Sequence, residues 1–355
     1  MKIGDSMESS SPVYHAKMNS PLIDKIKELI SFNGKDPESF DSDLVTQIIY
    51  SSLKMLNGEY NTGQIKLMTR AFKEMQYAYS IFNKYKNGQR ISIFGSARTP
   101  ETHPDYISAK AFGSLMASKG WVCITGGADG IMRAGLEGAE VNSSFGLSIR
   151  LPFETPSNSL MAGDPKLISF RYFFTRKLIF LSHSDAIAAF PGGVGTQDEL
   201  FEALTLMQTG KANIIPVILI EGEGGSYWKS WYEYIEKSLL QNGWISAEDL
   251  NLFYVAPSVE LAGEHVQRFY RRYHSSRYVK DVLVIRLKKA VNEDQVKQLN
   301  EEFRSILVQN GVIYATNAIV PEETDHLDLP RIAFEHNRQH FGTLRVLIDR
   351  LNSYE

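Results

Sequence analysis

Apolar residues fall on helical spacing through the first quarter of the chain and on strand spacing after residue 90. Leu22, Ile23, Ile26 and Ile30 predict a helix over 22–32. A second is predicted over 44–56, with Asp41 and Ser42 as candidate caps and Gly58 as its stop. The longest stripe, Ile65, Leu67, Met68, Phe72, Met75 and Ala78, predicts a helix over 62–86 that Gly88 ends. Residues 1–20 carry Ser, Met and Pro without periodicity and are expected to be a disordered tail. Residues 21–89 read as a helical arm or cap.

At Arg90 the texture changes. ISIFG (91–95), WVCITGG (121–127), FGLSIR (145–150), KLISF (166–170), DAIAAF (185–190) and IIPVILI (214–220) are short, nearly continuous apolar runs. Helical patterns lie between them: 104–119 with Pro104 in its first turn and Gly120 behind it, one ending near Val141, 171–182, one running to Gly210, and 228–241. Such strands between helices predict an α/β, doubly wound, mainly parallel Rossmann-like sheet covered on both faces, over 90–277. From Tyr278 a second pattern begins: strand 281–287, helix 294–308, strands 311–319 and 330–336, helix 343–351. It predicts a small C-terminal α+β module over 278–355.

Composition narrows the function. A chain of 355 residues suits one large α/β domain with appendages, or two domains. With 43% hydrophobic and 22% charged residues, general disorder is excluded. Thirty-eight basic against 41 acidic side chains, a net charge of −3, argue against nucleic acid or an anionic membrane as the main partner. The basic, aromatic-rich stretch 268–280 reads first as a solvated connector, with an anionic effector or RNA as the other readings. Cys123 is the only cysteine, so no intrachain disulfide and no cysteine-based zinc site can form. His336 and His340, with Glu335 beside them, lack a third ligand, and neither metal nor cofactor is called for. No apolar run approaches the ~18 residues of a membrane span, and the polar start MKIGDSMESSSP does not read as a signal peptide. A cytoplasmic protein is expected.

Three glycine-bearing loops follow predicted strands and precede predicted helices. They contain Gly95, Ser96 and Arg98; Gly126, Gly127 and Gly130; and Gly192, Gly193, Gly195 and Thr196. In an open parallel sheet, ligands bind beyond the carboxyl ends of the strands. Glycine admits a phosphate close to the backbone, and the helix start behind it offers unpaired N–H groups and a positive dipole end. Three such loops in one sheet predict a phosphorylated ligand. G-x-G-x-x-G is absent from the first strand and no G-x-x-x-x-G-K-[ST] occurs, so NAD and P-loop ATP readings are demoted. Thr196 and Glu199 also fit a capping box, with Thr196 as N-cap and Glu199 at the third helical position.

The stretch PGGVGTQDELFEALTLMQTGK, preceded by Phe174-Thr175-Arg176-Lys177 and a strand ending in Phe190, resembles the PGGxGTxxE block of the LONELY GUY (LOG) family of nucleotide phosphoribohydrolases. GGADGIM resembles that family's GGxxGxM signature, and the likeness runs over about 91–256. Proteins of this kind have been labelled lysine decarboxylases, but no lysine context suited to pyridoxal phosphate is recognisable. The resemblance implies hydrolysis of the N-glycosidic bond of a nucleoside 5′-monophosphate to free base and ribose 5-phosphate. It implies Arg176 and Glu199 as the catalytic pair with Lys177 beside them. Gly192, Gly193, Gly195 and Thr196 would hold the phosphate, and the chain would form at least a homodimer, with the N-terminal helices as candidate interface. The arm before Arg90 and the module after Tyr278 are missing from the short plant-type enzymes and make the chain look like the longer bacterial members. AMP or another purine nucleotide is therefore the first guess, and Gln197 and Asp198 fill positions from which no base can be read.

These residue types suit the chemistry. Breaking a ribosyl C–N bond builds positive charge on the sugar, which a carboxylate such as Glu199 can stabilise. The departing base gains electron density, which the guanidinium of Arg176 can hold by hydrogen bonding while staying cationic. The other reading is a nucleotide or cofactor carrier or sensor without turnover, of which the wider superfamily includes proteins resembling molybdenum-cofactor carriers. A carrier needs the loops but not the Arg176–Glu199 pair, so the enzyme is the favoured expectation.

Overall fold

The computed structural model describes residues 20–86, 88–150, 159–319 and 323–354, so the tail expected over 1–20 lies almost wholly outside the described residues. The chain divides into two compact units, one ending at Tyr77 and the other starting at Ala78. The first holds α1 (Ser20–Phe32), α2 (Phe40–Asn57) and the larger part of α3 (Thr62–Phe82). Ile26 and Ile30 of α1 meet Tyr50 of α2 in a small buried cluster. The cap of α2 is neither Asp41 nor Ser42: Ser39 accepts the backbone N–H of Ser42 through its hydroxyl, so the helix starts four residues before the expected position.

The second unit opens with the end of α3, whose Ala78, Ile81 and Phe82 are buried in its core. Then follow β1 (Arg90–Phe94), α4 (Pro104–Ser118), β2 (Val122–Thr125), α5 (Ile131–Ala139), β3 (Ser144–Ile149), β4 (Leu167–Phe170), α6 (Phe173–His183), β5 (Ala186–Ala189), α7 (Val194–Gln208), β6 (Val217–Leu219), α8 (Tyr227–Tyr234), β7 (Tyr254–Val255) and α9 (Val259–Phe269). The strands form one seven-stranded parallel sheet in the order β4-β3-β2-β1-β5-β6-β7. Alternation along each strand explains the continuous apolar runs. Ile91, Ile93, Cys123, Ala188 and Ile218 face one core with Phe112 and Met116 of α4. Phe94, Ile124, Ile187, Val217 and Leu219 face another with Phe180, Leu200 and Met207. The chain winds outward from β1 in one direction and from β5 in the other, so the switch point lies between these two strands.

The remaining elements are β8 (Tyr273–Val279), β9 (Val282–Leu287), α10 (Glu293–Glu302), β10 (Tyr314–Thr316), β11 (Arg331–Glu335) and α11 (Phe341–Ser353). They build an antiparallel sheet in the order β10-β11-β9-β8. Leu283, Ile285, Leu287, Ile332 and Phe334 on one of its faces share a buried cluster with α4 and α9, so the two sheets have a continuous core. On the other face Arg286 and Arg331 reach the buried Glu323 carboxylate at 2.7 and 2.9 Å.

Several expectations need correction. The stretch 268–280 is no connector: it is the end of α9 and the edge strand β8, paired with β9 through Tyr273–Val279. The boundary expected at 277/278 falls inside that strand. The strand expected over 311–319 is short, and the helix expected over 228–241 is α-helical only to Tyr234 before a π-helical turn at Ile235–Leu240. Among the described residues no helix is long and apolar enough to cross a membrane.

Candidate functional site

The three glycine loops follow β1, β2 and β5, which are neighbours in the sheet, and they therefore meet at its carboxyl edge. Ser96 is the joint. Its N–H donates to the Pro191 carbonyl at 3.1 Å, its carbonyl accepts from Ile131 N–H at 3.0 Å, and its hydroxyl accepts from Arg98 N–H at 3.1 Å. Gly130 holds φ +63°, and a Cβ there would lie 2.2 Å from the Ser96 carbonyl oxygen. Gly130→Ala should therefore cost about 1–3 kcal/mol and weaken nucleotide binding by forcing the first two loops apart. Thermal unfolding and titration with a nucleoside monophosphate check this, and an unchanged melting temperature would show that the loop junction yields easily.

The start of α7 is open. Its N-cap is Gly193, no side chain among the described residues caps it, and Gly193, Val194 and Gly195 are exposed, with no described atom near where a Cβ on either glycine would point. The N–H groups that a first helical turn leaves over are available to an anion there, and the dipole of a 15-residue helix favours one. The capping box expected of Thr196 and Glu199 does not form. The helix begins at Val194, so both residues are inside it, and both are buried.

Arg176 sits on α6 with its side chain directed back over the sheet. Its Nε donates to the Leu147 carbonyl of β3 at 2.8 Å, and its guanidinium lies 5.2 Å from the Phe180 ring centre. A Cβ on Gly126 would fall 2.6 Å from Arg176 Nη2, which places the guanidinium directly over the loop after β2. Glu199 is 7% exposed, and its Oε2 is buried without a hydrogen-bond partner among the described residues. Burial pushes its carboxyl up to about 7, against the pull of Arg176 and Lys177 and with the push of Glu202 and Asp198. The pair is thus in electrostatic contact across α6 and α7, with the carboxylate poised near neutrality.

Lys177 points elsewhere. Its Nζ lies 2.9 Å from Asp198 Oδ1 and 2.5 Å from Glu202 Oε2, tying α6 to α7. Burial works against its charge, but these two carboxylates hold its pKa above the ordinary lysine value. It neutralises acids around Glu199 and is not turned to the glycine loops. Arg98 is exposed at the rim.

Three further residues support the third loop. Tyr227 Oη donates to the Gly192 carbonyl at 2.6 Å, Gln197 Nε2 donates to Tyr227 Oη at 2.7 Å, and Trp231 Nε1 donates to Gln197 Oε1 at 2.9 Å. Tyr227 is 35 residues from Gly192. The dense aromatics of SYWKSWYEY (226–234) were the one hint of it, and they read equally well as core.

Comparison with known proteins agrees with this part of the chain. A family model described as "Possible lysine decarboxylase" matches residues 122–266. The chain is 39% identical over 85 residues to cytokinin riboside 5′-monophosphate phosphoribohydrolase LOG1 of Arabidopsis thaliana, covering 24% of this chain and 38% of that protein. It thus spans less than half the length of the plant relatives it matches. It is 28% identical over 163 residues to cytokinin riboside 5′-monophosphate phosphoribohydrolase of Mycobacterium tuberculosis, covering 45% of this chain and 84% of that one. Among solved structures, the molybdenum cofactor carrier protein of Chlamydomonas reinhardtii aligns with 51% of this chain and 97% of its own, at 22% identity and a TM-score of 0.36.

Proposed function

The chain belongs to the LOG family, and from that premise we propose that it hydrolyses the N-glycosidic bond of a nucleoside 5′-monophosphate to free base and ribose 5-phosphate. The observation that carries the reading is Glu199: a buried carboxyl with one oxygen unpartnered among the described residues, one helical turn inside the open start of α7 and under the influence of Arg176.

In this mechanism the phosphate takes the N–H groups at the start of α7, and the ribose extends inward toward Glu199. As the C–N bond breaks, the ionised Glu199 stabilises positive charge on the sugar, and a water completes the displacement at the anomeric carbon. Arg176, oriented by the Leu147 carbonyl, stabilises the departing base. Gly95, Ser96, Gly126, Gly127 and Gly130 shape the floor, and Tyr227 holds Gly192 in place. AMP or another purine nucleotide is the first substrate to try. A homodimer or larger assembly belongs to the same proposal, supported by the apolar side chains left in water beside the site: Phe173 and Phe174 at 52 and 53% exposure and Val194 at 86%.

The test is a panel of ribo- and deoxyribonucleoside 5′-monophosphates with the matching nucleosides, followed by chromatography of free base. Release from monophosphates and not from nucleosides is expected. No release from any of them, together with tight nucleotide binding by calorimetry, would replace hydrolysis by the carrier or sensor reading.

A further inference from the structure

A cavity of about 900 Å³ lies on the other side of the PGGVGT loop. Pro191 and Gln197 form part of its wall. Gln197 and Glu199 are two positions apart on α7, about 200° around the helix axis, so the cavity and the Glu199–Arg176 site occupy opposite sides of this helix. Its volume falls within the range of small-molecule sites.

Its lining is predominantly acidic. Asp105, Glu221 and Glu223 contribute carboxylates beside His103, and among the described residues no lysine or arginine lines it. Asp105 is held in place by the Gly222 N–H at 2.6 Å and stands 3.3 Å from His103 Nδ1. The start of α8, which could otherwise attract an anion, is already served, because Glu221 Oε2 accepts the Tyr227 N–H at 2.7 Å. A nucleotide phosphate would meet three carboxylates here with no lysine or arginine among the described residues to offset them. The opposite wall is aromatic. Tyr227, Trp231 and Tyr234 recur at helical spacing along one face of α8, and Phe201 of α7 stands 5.8 Å from Trp231, ring centre to ring centre. Ring faces are negative and attract cations, most strongly where the cation is shielded from water. A bare metal ion would need a cage of oxygen ligands rather than rings, and no metal-binding group of histidine, cysteine and acidic residues occurs among the described residues.

We propose that this cavity is a second ligand site, and that its ligand is an organic polyamine-type cation: a flexible chain carrying two or more ammonium groups, its charges on Asp105, Glu221 and Glu223 and its methylenes on the rings. More than one ammonium matches the charge of the lining, since Asp105, Glu221 and Glu223 all contribute to it. The occupant would rest against Tyr227, the residue that also donates to Gly192, so the wall of this site and the phosphate loop share a side chain.

The test is calorimetric titration of the full chain with spermidine and with putrescine, using 1,4-butanediol as a neutral chain of putrescine's length. Saturable binding of the amines, one per chain, is expected, with no binding of the diol and with affinity falling as salt is raised. Tyr234→Ala should weaken spermidine binding about threefold to tenfold by removing one ring. Glu223→Gln should weaken it comparably. Tyr234 and Glu223 are exposed, and thermal unfolding of each variant checks that it folds. Tyr234→Ala leaves the charge unchanged, so it separates this cavity from general attraction to an acidic surface. Absence of saturable amine binding, equal binding of the diol, or unchanged affinity in Tyr234→Ala would each overturn the proposal. Because the measurement needs no turnover, its outcome is independent of whether the chain is a hydrolase.

Discussion

A Glu199→Gln variant is expected to lose base release by about 10²–10⁴-fold and yet to unfold at a higher temperature than the parent at pH 8. Both effects follow from burial. The carboxyl is pushed up to about 7 in the folded chain, well above the ordinary 4.5. The folded state therefore holds the proton more tightly than the unfolded chain does. Stability from this group is complete below about pH 4.5 and is lost as pH rises through 7. Above that, ionising a buried carboxyl costs the fold about 3 kcal/mol. Glutamine fills the same space without a charge to bury. The variant and the parent should melt together near pH 4.5 and diverge by pH 8, the parent being the weaker. The pH profile adds a sign. If Glu199 acts as a carboxylate, kcat/KM rises through about pH 7, and a proton donor would give the opposite slope. The residual activity of the variant, which lacks this group, shows any limb that comes from the substrate phosphate alone. Near-normal turnover in Glu199→Gln would remove Glu199 from the mechanism.

Arg176→Gln should lower kcat by about 10²–10³-fold, the loss found when one preorganised charge-stabilising donor is removed, with a smaller change in KM. It should also move a second observable. The guanidinium is the leading influence holding the Glu199 carboxyl down against burial. Without it the carboxyl titrates higher, and the rising limb of the kcat/KM profile shifts above 7. Single-turnover rates across pH measure both at once. A kcat within threefold of the parent would show that the guanidinium does not stabilise the departing base. A lowered kcat with an unmoved limb would show that Arg176 acts on the base and is uncoupled from Glu199.

The sheet was legible because burial on both faces leaves nearly continuous apolar runs. IIPVILI, DAIAAF and ISIFG read as strands for that reason, although the paired segments are shorter, such as Val217–Leu219. The glycine loops were legible because close approach of backbone to backbone excludes a side chain, as at Gly130. The helix start of α7 was misread because Thr196 and Glu199 satisfy a local rule that competes with another: Gly193 opens the helix three residues before Thr196, and the capping box has no helix start left to serve. The strand within 268–280 was missed because β8 is an edge strand with half-exposed polar residues, His274, Ser275, Ser276 and Arg277, which carry no apolar run.

By itself, then, the sequence determined the α/β class, the three loops at one sheet edge, and the residue types Arg176 and Glu199 in a recognisable block, because each of these is written within a few neighbouring positions. Only the tertiary structure decided that Lys177 serves Asp198 and Glu202, that Tyr227 clamps Gly192, that the C-terminal sheet shares the core of the first, and that Glu199 is buried with its Oε2 unpartnered among the described residues. Those outcomes depend on side chains brought together from distant parts of the chain, where the balance of desolvation, charge and packing is set by neighbours that no local pattern names.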